Sequence, residues 1–72
     1  MTPDPSQLFV PYVAGGHWVV RRSRVVISTH GTRDEAILAA KERARDLASR
    51  MDDPMRVHVQ DEHGAWDEIS WR

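Results

Sequence analysis

One helical segment, residues 32–51, constrains the fold of this chain more than any other feature of its sequence. It opens with "TRDE", in which Thr32 holds the N-cap position and Glu35 the third helical position of a capping box. Its apolar side chains fall within an arc of roughly 120° on one face. They are Ala36, Ile37, Ala40, Ala44, Leu47, Ala48 and Met51. Because most of them are alanines, the helix axis can approach closely whatever it covers, and a β-sheet is the natural partner.

The other segments carry the signals of β-strands. Apolar or alternating runs occupy residues 8–14, 17–22, 24–30, 55–60 and 65–72, with "GG" at Gly15 and Gly16 and "DEHG" before Ala65 as turn sequences. Pro11 lacks an N–H donor, so we expect the first of these strands to lie at a sheet edge. In residues 55–60 the alternation predicts a dry and a wet face, the wet one carrying Arg56, His58 and Gln60.

Together these elements predict an α+β fold. We expect an antiparallel sheet of four to five strands with one helix across one face, in the order strand, strand, strand, helix, strand, strand. Residues 1–7, with two prolines, are predicted to be a flexible lead. Residues 8–72 are predicted to form a single small domain.

The size of the chain favours self-association. It has 72 residues and no cysteine, so disulfides and thiolate metal sites are excluded as sources of stability. Such a short chain buries a smaller fraction of its surface than a larger domain, which makes a homodimer the expected remedy. Its net charge is −1, but Lys and Arg predominate in residues 17–50 and Asp and Glu in residues 51–72. This asymmetry suits self-complementary packing as well as a polyanion partner.

No apolar run reaches membrane-spanning length, and "MTPDPSQLF" lacks the features of a signal peptide. The expectation is therefore a cytoplasmic protein with no membrane partner.

Several short motifs resemble a known family, the bacterial domain of unknown function 2188. They are the "VP" at Val10, the "GG" followed by Trp18 and Arg21, the "TRDEA" that opens the alanine-rich helix, and the "VHV" strand that runs into a glycine turn. The resemblance extends from Val10 to about Gly64. The chain departs from the pattern at His17, in the longer turn that ends at Gly64, and in its tryptophan-bearing tail. The resemblance implies a fold and no activity.

Catalytic, metal and cofactor sites are not predicted. The four histidines, His17, His30, His58 and His63, show no spacing that would converge three or four ligands on a metal ion. No serine lies in a glycine-bracketed elbow, and no glycine-rich loop opens the helix. We therefore expect a protein that is not an enzyme and needs no cofactor.

Two groups of residues are candidates for binding. Trp66 and Trp71 are an odd number of positions apart, so a regular strand would expose one of them, and with Ile69 they are predicted to contact a protein. The arginines Arg21, Arg22 and Arg24 separate two apolar runs. They are interpreted first as the polar tip of a hairpin that prevents aggregation, and alternatively as a contact for nucleic acid.

The predicted function is a non-catalytic interaction or assembly module that forms a homodimer through strand edges or the sheet face that the helix leaves open. A nucleic-acid-binding protein that uses the arginine hairpin tip is the alternative. A module that docks on another protein through its acidic C-terminal third is a further hypothesis that the sequence does not separate from the first.

Overall fold

The computed structural model describes residues 7–22, 24–51 and 55–71, and of Met51 only the backbone. Six of the seven residues in the predicted lead therefore lie outside the described part, and the seventh, Gln7, begins the first strand. The elements in chain order are β1 (Gln7–Val10), β2 (Tyr12–Val13), β3 (His17–Arg22), β4 (Val25–His30), α1 (Arg33–Met51), β5 (Arg56–Gln60) and β6 (Trp66–Ile69). The predicted α+β class, with one helix on a multi-stranded sheet, is confirmed.

The sheet is mostly antiparallel. β3 pairs with β4 on one side and with both β1 and β2 on the other. β1 and β2 can share this side because β2 continues β1 along β3 in the same register. β5 lies between β1 and β6. The order across the sheet is therefore β4, β3, β1 continued by β2, β5, β6. The predicted hairpin of residues 17–22 and 24–30 is confirmed as β3 and β4.

The prediction of an edge position for the first strand is wrong. β1 is the central strand, paired antiparallel with β3 and parallel with β5. Pro11 is accommodated at the break between β1 and β2, where its carbonyl accepts the N–H of Val19 at 3.2 Å. The missing donor of Pro11 thus costs one bond of the ladder and leaves Gln7–Val10 free to pair on both sides. The parallel pairing arises because α1 carries the chain across the sheet before β5 begins.

The N-terminus of α1 is capped as the sequence predicts. The N–H of Glu35 donates to Oγ1 of Thr32 at 3.2 Å, and the N–H of Ala36 donates to the carbonyl of Thr32 at 3.1 Å. Near the other end, Arg50 and Asp46 form an ion pair at 3.3 Å, one turn apart. Both features favour the helix independently of its packing.

The core lies between the apolar stripe of α1 and one face of the sheet. Ala36, Ala40 and Ala44 are fully buried, and Trp18 faces the helix. The small alanine side chains let the helix backbone come close to the β-branched residues of the sheet. The buried set is Leu8, Val10, Trp18, Val20, Ala36, Ala40, Ala44, Leu47, Met55, Val57 and Val59.

The turn between β5 and β6 is organised by Asp61. Its Oδ1 accepts the N–H groups of His63 at 2.8 Å and Ala65 at 3.0 Å. The bond from Ala65, joined by the bond from His63 and the charges of His63 and Arg33, lowers the pKa of the Asp61 carboxyl. Gly64, at a φ of 89°, donates its N–H to the Asp61 carbonyl and closes the turn.

Ala40→Leu tests the close approach of the helix. Ala40 is fully buried, so the larger leucine side chain must push the helix away from the sheet. We expect the free energy of unfolding to fall by about 1–3 kcal/mol. Urea denaturation gives the value. Ser49→Leu, at an exposed position of the same helix, is the control and should change stability little. Equal stabilities of the two variants would show that the helix does not pack as described.

Asp61→Asn tests the role of the carboxylate in the turn. Since the folded state lowers the pKa of Asp61, its ionised form stabilises the fold above the usual carboxyl pKa of 3.8, and this contribution is lost as pH falls through the folded value. We expect wild type to unfold at a higher temperature than the variant at neutral pH and the difference to shrink in acid.

Thermal melts followed by circular dichroism between neutral and acidic pH measure that difference. Glu62→Gln removes a carboxylate from the same turn while leaving both bonds to Asp61, and it is the matched control. A gap between wild type and Asp61→Asn that stays constant into strong acid contradicts the assignment.

Candidate interaction surface

One face of the sheet is left uncovered by α1, and we call it the open face. The residues that alternate with the core positions lie on it, among them Phe9, between Leu8 and Val10, and Arg56, His58 and Gln60, which alternate with Val57 and Val59. The predicted wet face of residues 55–60 is thus confirmed. Because only one helix is present in the described part of the chain, no other element packs on this face.

A row of directly paired residues crosses the whole open face. Cross-strand partners carry their side chains on the same face of a sheet. Residues that are linked by successive pairings therefore form a row on one face. The pairings join Val26 to Arg21, Arg21 to Phe9, Phe9 to His58, and His58 to Glu68. Phe9 stands in the middle of this row, with a basic residue on the β3 side and an acidic residue on the β6 side.

Three rings form a cluster at the centre of the open face. The Phe9 and His58 rings stack with centroids 5.2 Å apart, and the Trp66 ring meets Phe9 edge-on at 6.0 Å. Phe9 is 36% exposed and Trp66 is 48% exposed. The Nε2 atom of His58 is buried and has no hydrogen-bond partner among the described residues. An aromatic patch of this kind is typical of a surface that contacts another molecule.

The position of Trp66 depends on the turn before it. Gln60 pairs with Trp66, and its side chain accepts the N–H of Tyr12 at 2.9 Å and donates to the carbonyl of Gly64 at 3.2 Å. This one amide therefore links β2 to the β5–β6 turn. Arg33, at the start of α1, adds an ion pair to Asp67 of β6 at 3.7 Å. These contacts hold β6 against β5 and so place the indole beside Phe9.

The structure separates the three residues predicted to make a protein contact. Trp66 lies on the open face, whereas Ile69 and Trp71 pack against the core on the other side. The indole N–H of Trp71 donates to the carbonyl of Met55. One tryptophan is thus exposed and the other is half-buried, as their odd spacing predicts. Of the three, only Trp66 belongs to the open face.

The arginine hairpin tip does not present three side chains on one surface. Arg21 pairs with Phe9 and lies on the open face, while Arg22 follows buried Val20 by two positions and lies on the helix side. Arg24 is exposed in the turn. A single phosphate backbone would therefore meet these guanidinium groups on opposite faces of the sheet, which favours the interpretation of a solvated hairpin tip.

β4 forms one edge of the sheet and exposes Val25 and Val26, at 64% and 59%. The register between β3 and β4 shifts between Val20 and Arg21, so Ile27 is an extra residue without a direct partner on β3. A bulge of this kind bends and twists a strand and discourages pairing with another edge. The open face is consequently a better candidate for binding than the β4 edge.

Sequence reasoning missed Phe9. It predicted a strand here but gave the position between two core residues no role, because a parallel neighbour for β1 was not foreseen. The signal that could have found it is the alternation itself, which sets a large aromatic residue on the face opposite Leu8 and Val10.

The described residues contain neither a metal-binding group nor a membrane-spanning helix. No three histidine, aspartate or glutamate side chains within residues 7–22, 24–51 and 55–71 are grouped so that they could hold a metal ion. Within the same ranges no helix has the length and apolar character that crossing a bilayer requires.

Comparison with known proteins identifies a family. A search of curated proteins and a search of solved structures gave no match. The model of the family described as "Uncharacterized protein conserved in bacteria (DUF2188)" matches residues 7–69, which contain every strand and the helix described above. The resemblance noted in the sequence is thereby confirmed, and the chain belongs to this bacterial family.

Proposed function

We propose that this protein is a non-catalytic interaction module that forms a homodimer through the open face of its sheet. The observation that carries the proposal is the cluster of Phe9, His58 and Trp66 at the centre of a face on which no other described element packs. Burying two such clusters against each other removes apolar and aromatic surface from water on both copies. The cysteine-free composition supports a cytoplasmic location, because secreted domains of this size commonly depend on disulfides.

The dimensions of the face set the expected strength of the dimer. Five strand positions span about 24 Å, and strands of this length run for about 17 Å, so the face covers roughly 400 Å² on each copy. Together two such faces cover about 800 Å², less than the roughly 1,200–2,000 Å² of a stable interface, and they fit a weak, transient one. We therefore expect a reversible dimer whose dissociation constant is in the micromolar range.

A protein partner fits the charges around the cluster better than nucleic acid does. Glu68 lies in the same row as the rings, and Glu62 lies in the turn that precedes Trp66. These carboxylates would repel a phosphate backbone that stacked its bases on the indole. Arg21 alone of the predicted arginine contacts shares the open face.

Phe9→Thr tests the proposal. Threonine keeps the preference for a strand but removes the ring, and we expect the dissociation constant of the dimer to rise at least about tenfold in sedimentation equilibrium. Leu38→Gln, which removes an apolar side chain that is 60% exposed on α1, is the matched control and should leave the constant unchanged. Far-ultraviolet circular dichroism of both variants verifies that they fold.

Two outcomes would overturn the proposal. Wild type that stays a folded monomer up to about 1 mM would show that the open face does not join two copies. A loss of association in Leu38→Gln equal to that in Phe9→Thr would place the interface elsewhere. If the monomer instead binds a single-stranded oligonucleotide, and the double variant Arg21→Glu with Arg22→Glu does not, the nucleic-acid alternative is correct.

A further inference from the structure

The charges on the open face are distributed unevenly across its width. Arg21 lies on β3, one strand from Phe9 on one side, and Glu68 lies on β6, two strands from Phe9 on the other. The turns follow the same division: the β3–β4 turn, on the side of Arg21, carries Arg24, and the β5–β6 turn, on the side of Glu68, carries Glu62. Arg56 also lies on the open face, on β5, so the β5–β6 side carries one cation beside its two carboxylates, whereas the β3–β4 side carries two cations. The face is therefore basic on one side of the aromatic cluster and net acidic on the other.

Two copies of one sheet can stack face to face around two kinds of two-fold axis. An axis that runs across the strands sets β6 over the partner's β6 and brings the two copies of Glu68 together. An axis parallel to the strands sets β4 over the partner's β6 and β3 over the partner's β5, with β1 over β1. Only the second arrangement brings the basic side of each copy over the acidic side of the other.

We propose that the dimer has its two-fold axis parallel to the strands, at Phe9, and that Arg21 of each copy pairs with Glu68 of the other. This inference rests on the proposed function, because it names the arrangement of the two copies. Phe9 in the central strand then meets its own counterpart on the axis. Arg21 on β3 faces the strand next to the partner's β6, within reach of a long guanidinium side chain across stacked sheets about 10 Å apart.

Charge reversal with mixing tests the arrangement. Arg21→Glu alone and Glu68→Arg alone each convert both cross-copy pairs into repulsions, so each should raise the dissociation constant about tenfold or more. An equimolar mixture of the two variants restores both pairs in a heterodimer, and its dissociation constant should return to the wild-type value. Sedimentation equilibrium measures all of these constants.

Arg22→Glu is the matched control for Arg21→Glu. It makes the same change in net charge at the adjacent residue, but on the helix side of the sheet. It should leave the dissociation constant of the dimer unchanged.

A distance measurement provides a second test that needs no charge change. The chain has no cysteine, so Val25→Cys gives one site on β4 for a nitroxide label, at an exposed position that pairs with Arg22 on the helix side. With the axis parallel to the strands, the two labelled backbone positions lie at opposite sides of the dimer, about 22 Å apart. With the axis across the strands, β4 lies over β4 and the separation falls to roughly 12 Å.

The outcomes separate the two proposals. A wild-type monomer would overturn both the proposed function and this arrangement. A wild-type dimer in which neither charge reversal changes the constant, in which the mixture does not restore it, or in which the labels show the short separation, would overturn the arrangement and leave the homodimer standing. Recovery in the mixture together with the long separation supports it.

Discussion

The close packing of a single alanine-lined helix on one face of a sheet is the interaction on which the rest of this structure depends. Ala36, Ala40 and Ala44 bring α1 close to the buried side chains of β1, β3 and β5. One helix covers one face, and the described chain has no second helix for the other. The open face, its aromatic cluster and the proposed dimer all follow from this asymmetry.

The turns determine what the open face displays. Asp61 and Gln60 fix the β5–β6 turn through three hydrogen bonds to backbone groups within it and a fourth to Tyr12 of β2, and Arg33 adds an ion pair from the first turn of the helix. β6 is a short edge strand of four residues that pairs with β5 on one side, so these contacts add to the bonds that hold it in place. In this position of β6, Trp66 stands beside Phe9, and Glu68 completes the row that crosses the sheet.

Local signals in the sequence predicted the elements well but not the order of the strands. The Thr32 cap, the alanine stripe, the β3–β4 hairpin and the alternation in β5 are properties of neighbouring residues, and each is present as predicted. The central position of β1 depends on a partner almost fifty residues away, β5, for which no local pattern exists. Pro11 misled the prediction because a break in the strand accommodates it.

The candidate surface was predicted only in part for the same reason. The spacing of Trp66 and Trp71 predicts that one of them is exposed but not which one, and the neighbours of Trp66, Phe9 and His58, come from two other strands. The sequence predicts the same contact for Ile69 and Trp71, since it shows that these residues are apolar and not which face of the sheet they join. Arg21 and Arg22 were grouped for their charge, although adjacent residues of a strand point to opposite faces.

The indole N–H signals of the three tryptophans give the most direct test that a second copy covers the open face. In a dilution series followed by proton–nitrogen NMR, the Trp66 signal should shift with protein concentration. The Trp18 and Trp71 signals should stay constant, because those indoles are hydrogen-bonded to Gln60 and Met55 within one copy. A Trp66 signal that does not move over the micromolar to millimolar range, or one that stays fixed while Trp71 moves, would contradict the account.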